Sequence, residues 1–232
     1  RRMPLRREAL LAALGIFILF FTFSRSSWIG MAVALAVLAL AWRRFFKRGK
    51  VRLVLGLTAA VLLLGIWSGW GPFGFVRTRM EMMFQGDASI YKHTIYAQAA
   101  LEMFRRSPAL GVGLHNFSAY YTGHFDPNDF GTTAHSAYLT FFAETGLLGG
   151  VANLFLILLV LQSIARSLRR YSPENQEYAW IAGLGAAYAG LLVSSFFYLF
   201  YNQVYLWVTV GLIGTIERLP GASPEPGREE QP

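Results

Sequence analysis

Apolar residues occur in long runs along this chain, and short polar or basic segments separate the runs. The first two runs extend from Ala9 to Phe23 and from Trp28 to Trp42, and a third covers Leu53 to about Trp70. Each run approaches the ~20 residues with which an α-helix crosses a bilayer. The pattern therefore predicts transmembrane helices, and the first two form a hairpin with Arg25 at its tip.

The second half of the chain repeats the pattern after a polar segment. A fourth run begins near Tyr138 and ends near Leu161, and the stretch from Tyr178 to Ile216 contains no Asp, Glu, Lys or Arg. That stretch suffices for about two spans, and we place the turn between them at 201–203. The predicted fold is all-α, a polytopic membrane helix bundle of about six transmembrane helices.

The polar segment between the third and fourth runs predicts a long loop with short helices of its own. Asp87 or Ser89 can cap a helix that runs to about Arg106, where Ser107-Pro108 ends it. Apolar residues recur on one side of that helix and predict its buried face. They are Ile90, Ala97, Leu101 and Phe104.

We divide the chain into four parts on this basis. Residues 1–70 form three transmembrane helices, and residues 71–137 form the loop. Residues 138–217 form three more transmembrane helices, and 218–232 is a tail rich in Pro, Gly, Ser and Glu that we expect to be disordered. Glycines among the last three spans predict close helix packing. These are Gly146, Gly149, Gly150, Gly183, Gly185 and Gly190.

Charge gives the predicted bundle an orientation. Of the formal net charge of +8, most falls in basic segments at 1–8, 43–52 and 166–170, which alternate with the other connections. Positive segments stay in the cytoplasm, so the Arg25 hairpin tip and the loop lie at the outer face of the membrane. The charge therefore indicates membrane topology and not a nucleic-acid partner.

Composition also limits the chemistry. The chain has no cysteine, which excludes disulfides and thiolate metal sites, and its four histidines are scattered without close pairing. We predict no metal and no cofactor. The sequence begins with Arg, and we expect it to be the C-terminal half of a longer membrane protein.

Two ionisable residues at the predicted outer surface stand out, because charge at the border of a membrane is costly. The guanidinium of Arg25 suits contact with phosphate, and the alternative is an interfacial Arg that snorkels to headgroups. His135 could take a proton from an attacking hydroxyl, or it could cap a helix. We predict that both are catalytic.

Glu144 follows His135 by nine residues, which on an unbroken helix turns the two to opposite sides. A simple dyad is therefore not expected, and Glu144 could instead cap backbone or pair with an Arg. We nevertheless include it among the predicted substrate-binding residues. The full set is Arg77, Arg79, Lys92, His93, His115, Tyr138 and Glu144.

Three motifs, in order, resemble those of the O-antigen ligase and polymerase superfamily. The first is Thr22–Trp28 (TFSRSSW), and the second is Ala99–Phe104 followed by Pro108–Phe117 (PALGVGLHNF). The third is Ala134–Leu139 (AHSAYL) with Glu144–Gly149 (ETGLLG). Together they make a fairly specific match over residues from about 10 to 200.

The resemblance implies an inverting, metal-independent glycosyltransferase of the bacterial inner membrane. Its donor is a glycan on undecaprenyl pyrophosphate, and its acceptor is lipid A-core, a growing polysaccharide or a protein hydroxyl. The family's hairpin Arg, which handles the pyrophosphate, maps to Arg25, and its acceptor-activating His maps to His135. A second Arg of the family falls where this chain has Lys92 or His93, so Arg77 or Arg79 could replace it.

Two other classes of function stay open at this point. A transporter or flippase of lipid-linked sugar would show ionisable or broken-helix sites near mid-membrane, whereas the charges here cluster on the outer side. A membrane scaffold whose loop binds a partner is the third class. Among these three classes of function, the residues favour the enzyme.

Overall fold

The computed structural model describes residues 11, 14–19, 22, 24–42, 68, 69, 71, 74, 77, 78, 81, 88–198 and 204–218. Six helices are bounded within these ranges, which contain no strand. They are α1 (Arg25–Ala41), α2 (Ala88–Arg106), α3 (Phe117–His124), α4 (Ala137–Arg170), α5 (Gln176–Ser194) and α6 (Val204–Arg218).

Several predictions concern residues outside the described ranges. These are the basic segments 1–8 and 43–52, most of the third span at 53–70, Arg79, the turn at 201–203 and the tail after Arg218. The all-α class holds for the part of the chain that the structure describes. Within that part, α4 is the helix that is both long enough and apolar enough to cross a membrane, and α1 is a shorter apolar helix.

Helix α1 begins where a serine interrupts the apolar pattern. Ser24 has an extended backbone, and its hydroxyl accepts a hydrogen bond from the Ser27 N–H at 3.4 Å, which caps the helix. The Trp28 indole N–H donates to the Leu19 carbonyl, 3.3 Å away, across the interruption. Arg25 is thus the first residue of α1.

Helix α2 has the predicted length, and its predicted apolar side is partly buried: Ala97 and Phe104 are half-buried, and Phe104 packs on Phe142. The buried side chains are Tyr96, Ala99, Ala100 and Met103, whereas Leu101 is 44% exposed. The two alanines allow α2 to lie close to its neighbours, and larger side chains flank them. Packing of the whole loop against α4 therefore overrides the pattern of apolar residues along α2.

Helix α4 is the longest and contains a break. Ser136 caps its start by accepting from the Leu139 N–H at 3.4 Å, and Gly146 interrupts it with φ +63° and ψ −160°. Backbone groups of the preceding loop occupy the break. The Leu147 N–H donates to the Pro108 carbonyl at 2.8 Å, and the Val112 N–H donates to the Ala143 carbonyl at 2.9 Å.

Helices α1 and α5 are antiparallel and cross at two glycines. A Cβ on Gly190 would lie 2.6 Å from the Gly30 carbonyl oxygen, so the backbones are in contact there. A Cβ on Gly185 would similarly lie against Ile164 of α4, whereas a Cβ on Gly183 would meet nothing within 4 Å. Glycine thus permits close helix packing at two of the predicted positions on α5.

The helix ends lie in two groups at opposite ends of the helices, and we call each group a level. At one level the Tyr178 hydroxyl, near the start of α5, donates to the Ala41 carbonyl at the end of α1, and Arg166 of α4 pairs with Glu217 of α6 at 2.9 Å. At the other level the start of α1 meets the end of α5. Within the described ranges, the end of α1 and the start of α5 therefore lie together, as do the ends of α4 and α6.

Candidate active site

A cavity of about 810 Å³ opens at the level where α1 begins. The start of α1, the middle of α2, the segment before α4 and the residues after α5 enclose it. Its lining includes Arg25, His93, Thr94, His135, Ser136 and Tyr198. Two of these, Arg25 and His135, are the residues predicted to be catalytic.

The N-terminal cap of α1 and one contact from α5 position Arg25. The Ser194 hydroxyl donates to the Ser26 carbonyl at 2.9 Å, which ties the first turn of α1 to the end of α5. Ser194 and Ser195 are both buried there. Ser24 and Ser194 therefore hold the backbone from which Arg25 extends into the lining of the cavity.

His135 adopts a left-handed backbone conformation with φ +49°. The His135 N–H donates to the Thr133 hydroxyl at 3.3 Å. Two residues later, the Ala137 N–H donates to the Ser195 carbonyl at 2.8 Å. The His135 imidazole stacks on the Tyr96 ring, with ring centroids 5.3 Å apart and planes 29° apart. The Tyr96 hydroxyl in turn donates to Asp129 at 2.6 Å.

His93 of α2 faces His135, and the two ring centroids are 4.8 Å apart. The expectation that the histidines lack close pairing is therefore wrong. Forty-two residues separate the two in the chain, and the helical period of α2 alone does not reveal which side faces the segment before α4. No sequence signal pointed to this contact.

Burial and nearby cations favour the neutral form of both imidazoles. Burial lowers the pKa of His135, and the charges of His93 and Lys92 lower that pKa further, while Asp129 opposes them. Burial also lowers the pKa of His93, with a contribution from the Arg25 charge. At neutral pH His135 therefore presents an imidazole nitrogen that can accept a proton.

Three of the other predicted substrate-binding residues, Lys92, Tyr138 and Arg77, are not part of the lining of this cavity. Lys92 is exposed beside His93. The Tyr138 hydroxyl donates to the Leu192 carbonyl at 2.8 Å, and its ring packs on Phe196, which lines the cavity. Arg77 forms an exposed ion pair with Glu81 at 2.8 Å, and Arg79 lies outside the described residues.

Glu144 and His115 line a second, smaller cavity and not the large one. The buried Glu144 carboxylate accepts the N–H of His115 at 3.0 Å and that of Phe117 at 3.1 Å. It thereby caps the turn that leads into α3, which matches the alternative that Glu144 caps backbone. His115 itself is exposed, with φ +59°.

No group of three or more His, Asp or Glu residues that could hold a metal ion occurs within the described ranges. The chemistry that the large cavity offers is that of one guanidinium, two imidazoles and several hydroxyls. A guanidinium suits an anionic leaving group, and a neutral imidazole suits proton transfer.

A family model described as O-antigen ligase matches residues 10–154. This range contains α1, the loop and the first half of α4, and therefore every charged residue of the large cavity. The chain belongs to the O-antigen ligase family. No individual curated protein matches it in sequence.

Membership of the O-antigen ligase family places this chain among integral membrane enzymes that transfer glycans in lipopolysaccharide biosynthesis. Members act on a lipid-linked glycan and an acceptor. The apolar surface agrees with a membrane location, because α4 exposes large side chains that a soluble monomer rarely exposes in one patch. These include Leu147, Leu148, Val151, Phe155 and Leu158.

Proposed function

We propose that this protein transfers a glycan from undecaprenyl pyrophosphate to an acceptor hydroxyl at the periplasmic face of the inner membrane. The observation that carries the proposal is the large cavity, which brings Arg25, His93 and His135 together at one level of the helices. In this proposal the chain forms a polytopic bundle of about six spans, and this level is the periplasmic one.

The reaction is a single displacement. The acceptor oxygen attacks the anomeric carbon while its proton moves to the neutral imidazole of His135. The bond between that carbon and the pyrophosphate oxygen breaks, and the pyrophosphate leaves as an anion that Arg25 stabilises. One displacement inverts the anomeric centre, and the donor supplies the driving force, so the reaction needs no nucleotide. In this proposal Arg25, and no metal ion, stabilises the leaving group.

Lys92, exposed beside His93, adds a positive charge near the cavity. Lys92, Arg77 and Arg79 are the candidates for further contacts with the pyrophosphate oxygens. Tyr138, His115 and Glu144 support the site through the backbone of the loop and α4. Lipid A-core, a growing polysaccharide and a protein hydroxyl are the candidate acceptors.

The test is transfer by the purified full-length protein in lipid nanodiscs, with a defined undecaprenyl pyrophosphate glycan and each candidate acceptor. We expect Arg25→Ala to lower the transfer rate by about 10²–10³, as loss of a transition-state hydrogen-bond donor does. We expect His135→Ala to lower it by about 10²–10⁴, as loss of a general base does.

Matched controls come from the same loop. His124→Ala removes an exposed imidazole that stacks on Tyr120, and Arg106→Ala removes an exposed guanidinium paired with Glu102. Both should transfer at the wild-type rate. Near-normal transfer by folded His135→Ala would exclude the base role, and movement of donor across the bilayer without a new glycosidic bond would indicate a transporter.

A further inference from the structure

The turn that follows α2, residues 107–114, is attached through its backbone to the break in α4. The N–H groups of Leu147 and Leu148 donate to carbonyls of this turn at 2.8 and 3.2 Å, and two N–H groups of the turn donate back to α4 at 2.9 Å each. A Cβ on Gly111 would overlap the Glu144 carbonyl, so the two backbones are in contact. The depth of the break in a membrane therefore sets the depth of the 107–114 turn.

The charges of α4 indicate where the break lies relative to a bilayer. Glu144 and Arg166 bracket residues 145–165, which contain no Asp, Glu, Lys or Arg. At a rise of ~1.5 Å per residue this stretch is about 30 Å long, and the hydrocarbon core of a bilayer is ~30 Å thick. Because charged side chains avoid that core, Arg166 marks one boundary of the core, and the break at Gly146 lies at the other.

The 107–114 turn carries large apolar side chains at this boundary. Leu110 is 67% exposed and Leu114 is 63% exposed within the part of the chain that the structure describes. Leu148 of α4, whose N–H donates to the residue before Leu110, is 71% exposed. From Leu148 the exposed apolar surface of α4 continues through Val151 and Phe155. The turn therefore extends the apolar surface of the membrane-spanning helix.

Basic side chains lie beside the apolar turn. Helix α2 ends with Arg105 and Arg106, both exposed, immediately before Ser107. Arg106 pairs with Glu102 at 3.0 Å, so these three charges leave one net positive charge next to the turn. Apolar side chains beside exposed cations are typical of segments that lie in the interface of a membrane, where the cation meets headgroup phosphates.

We propose that the 107–114 turn is a membrane anchor in the leaflet on the side of the loop. Leu110 and Leu114 lie among the acyl chains of bilayer phospholipids, and Arg105 lies at the level of their phosphate groups. The occupant is the bilayer and not a bound substrate molecule, because the turn continues the surface that α4 presents to lipid. The anchor holds the loop, and with it the large cavity, at a fixed height above the hydrocarbon core.

This inference goes beyond the proposed function, because it depends on the depth of α4 and not on the transfer reaction. Spin labels can measure that depth, since the chain has no cysteine of its own. Leu110→Cys, Leu114→Cys and Arg105→Cys are labelled singly in the full-length protein, in liposomes of phosphatidylethanolamine and phosphatidylglycerol. All three side chains are exposed, so the label does not disturb packing.

The readout compares collisions of each label with O₂ and with an uncharged, water-soluble nickel chelate. O₂ concentrates among acyl chains, whereas the polar chelate stays in water. Phospholipids labelled on the headgroup or near the start of the acyl chain calibrate the depth independently of the protein. Asn128→Cys, at an exposed position of the same loop, is the control for a label in water.

We expect the labels of Leu110→Cys and Leu114→Cys to collide several-fold more often with O₂ than with the chelate, as the acyl-chain label does. The label of Arg105→Cys should match the headgroup label, and that of Asn128→Cys should collide mainly with the chelate. Collision of either leucine-position label mainly with the chelate would place the turn in water and overturn the proposal. Few collisions with both reagents would mean that another protein segment covers the turn, which would overturn it too.

Failure of the anchor is distinguishable from failure of the proposed function, because depth is measured without donor or acceptor. Normal glycan transfer by a protein whose 107–114 turn lies in water overturns the anchor alone. Labels among the acyl chains in a protein that transfers no glycan support the anchor and overturn the glycosyltransferase role.

Discussion

His135 occupies a backbone conformation that is uncommon for a residue with a side chain. A left-handed φ in a non-glycine residue costs of order 1–3 kcal/mol, and such residues persist where the surroundings over-determine them. Here the Thr133 hydroxyl, the Tyr96 ring and the capped start of α4 hold the residue. The imidazole is thereby fixed before any substrate arrives.

The charges around His135 should set the pH dependence of transfer. A base works only when it is deprotonated, so the rate falls as pH falls through the pKa of His135, which burial and cations hold below its ordinary value. Removing the Lys92 charge with Lys92→Gln raises that pKa and moves the acidic limb of the kcat profile to higher pH. Removing the opposing charge with Asp129→Asn moves the limb to lower pH.

Profiles of kcat against pH for Lys92→Gln and Asp129→Asn check these two shifts. Arg106→Gln is the control variant. Lys92 is exposed, so the shift from Lys92→Gln should shrink as salt is added. If the acidic limb moves in the same direction in both variants, that limb does not reflect the protonation of His135.

Sequence reasoning named all three ionisable residues that we place at the centre of the large cavity, Arg25 and His135 as catalytic and His93 as substrate-binding, but it did not predict that the two histidines are in contact. Arg25 and His135 stand where apolar runs change to polar sequence, which is visible in the chain itself. The pairing of His93 with His135 depends on how α2 packs against α4, and residues 42 apart acquire that relation only through the fold. The same packing explains why the buried face of α2 is displaced from the predicted apolar side, which leaves Leu101 exposed.

At the scale of the helices, the crossing of α1 and α5 determines where Arg25 lies. Gly30 is on the second turn of α1, and its contact with Gly190 brings Ser194 to the Ser26 carbonyl. Small residues permit this approach because membrane helices associate through close packing. The predicted small-residue pattern on α5 was therefore informative, although its partner on α1 was not identified.

We expect Gly190→Ala to separate α1 from α5 and to displace Arg25. The added methyl would lie against backbone, which cannot rotate away, so the cost is on the order of 1–3 kcal/mol. Thermal midpoint and transfer rate should both fall. Gly183→Ala, on the same helix with nothing within 4 Å, should leave both unchanged, and equal effects of the two would contradict a role for the crossing.

At the scale of the whole molecule, the two ends of the helices differ in chemistry. One end carries the large cavity and the loop, and the other carries the Arg166–Glu217 ion pair and the Tyr171 and Tyr178 hydrogen bonds. Of the three basic segments that charge counting used, only 166–170 lies within the described ranges, so the sidedness stays a prediction. Charge counting could not predict that the loop would be hydrogen-bonded into α4.

Single cysteines can test the sidedness, since the chain has none of its own. Asn128→Cys lies in the exposed part of the loop, and Gln176→Cys lies at the exposed start of α5. A membrane-impermeant maleimide, with the outer membrane permeabilised, should label Asn128→Cys alone. After lysis it should label both, and the reverse order would invert the proposed orientation.

The break in α4 at Gly146 limits how the loop can be exchanged between related proteins. Four N–H groups cross between the loop and α4, because Val112 and Gly113 donate to α4 while Leu147 and Leu148 donate to the loop. Neither partner can complete its backbone hydrogen bonds alone. The loop therefore cannot be exchanged alone: a chimera that exchanges it between relatives should fold only when residues 137–148 at the start of α4 are exchanged with it.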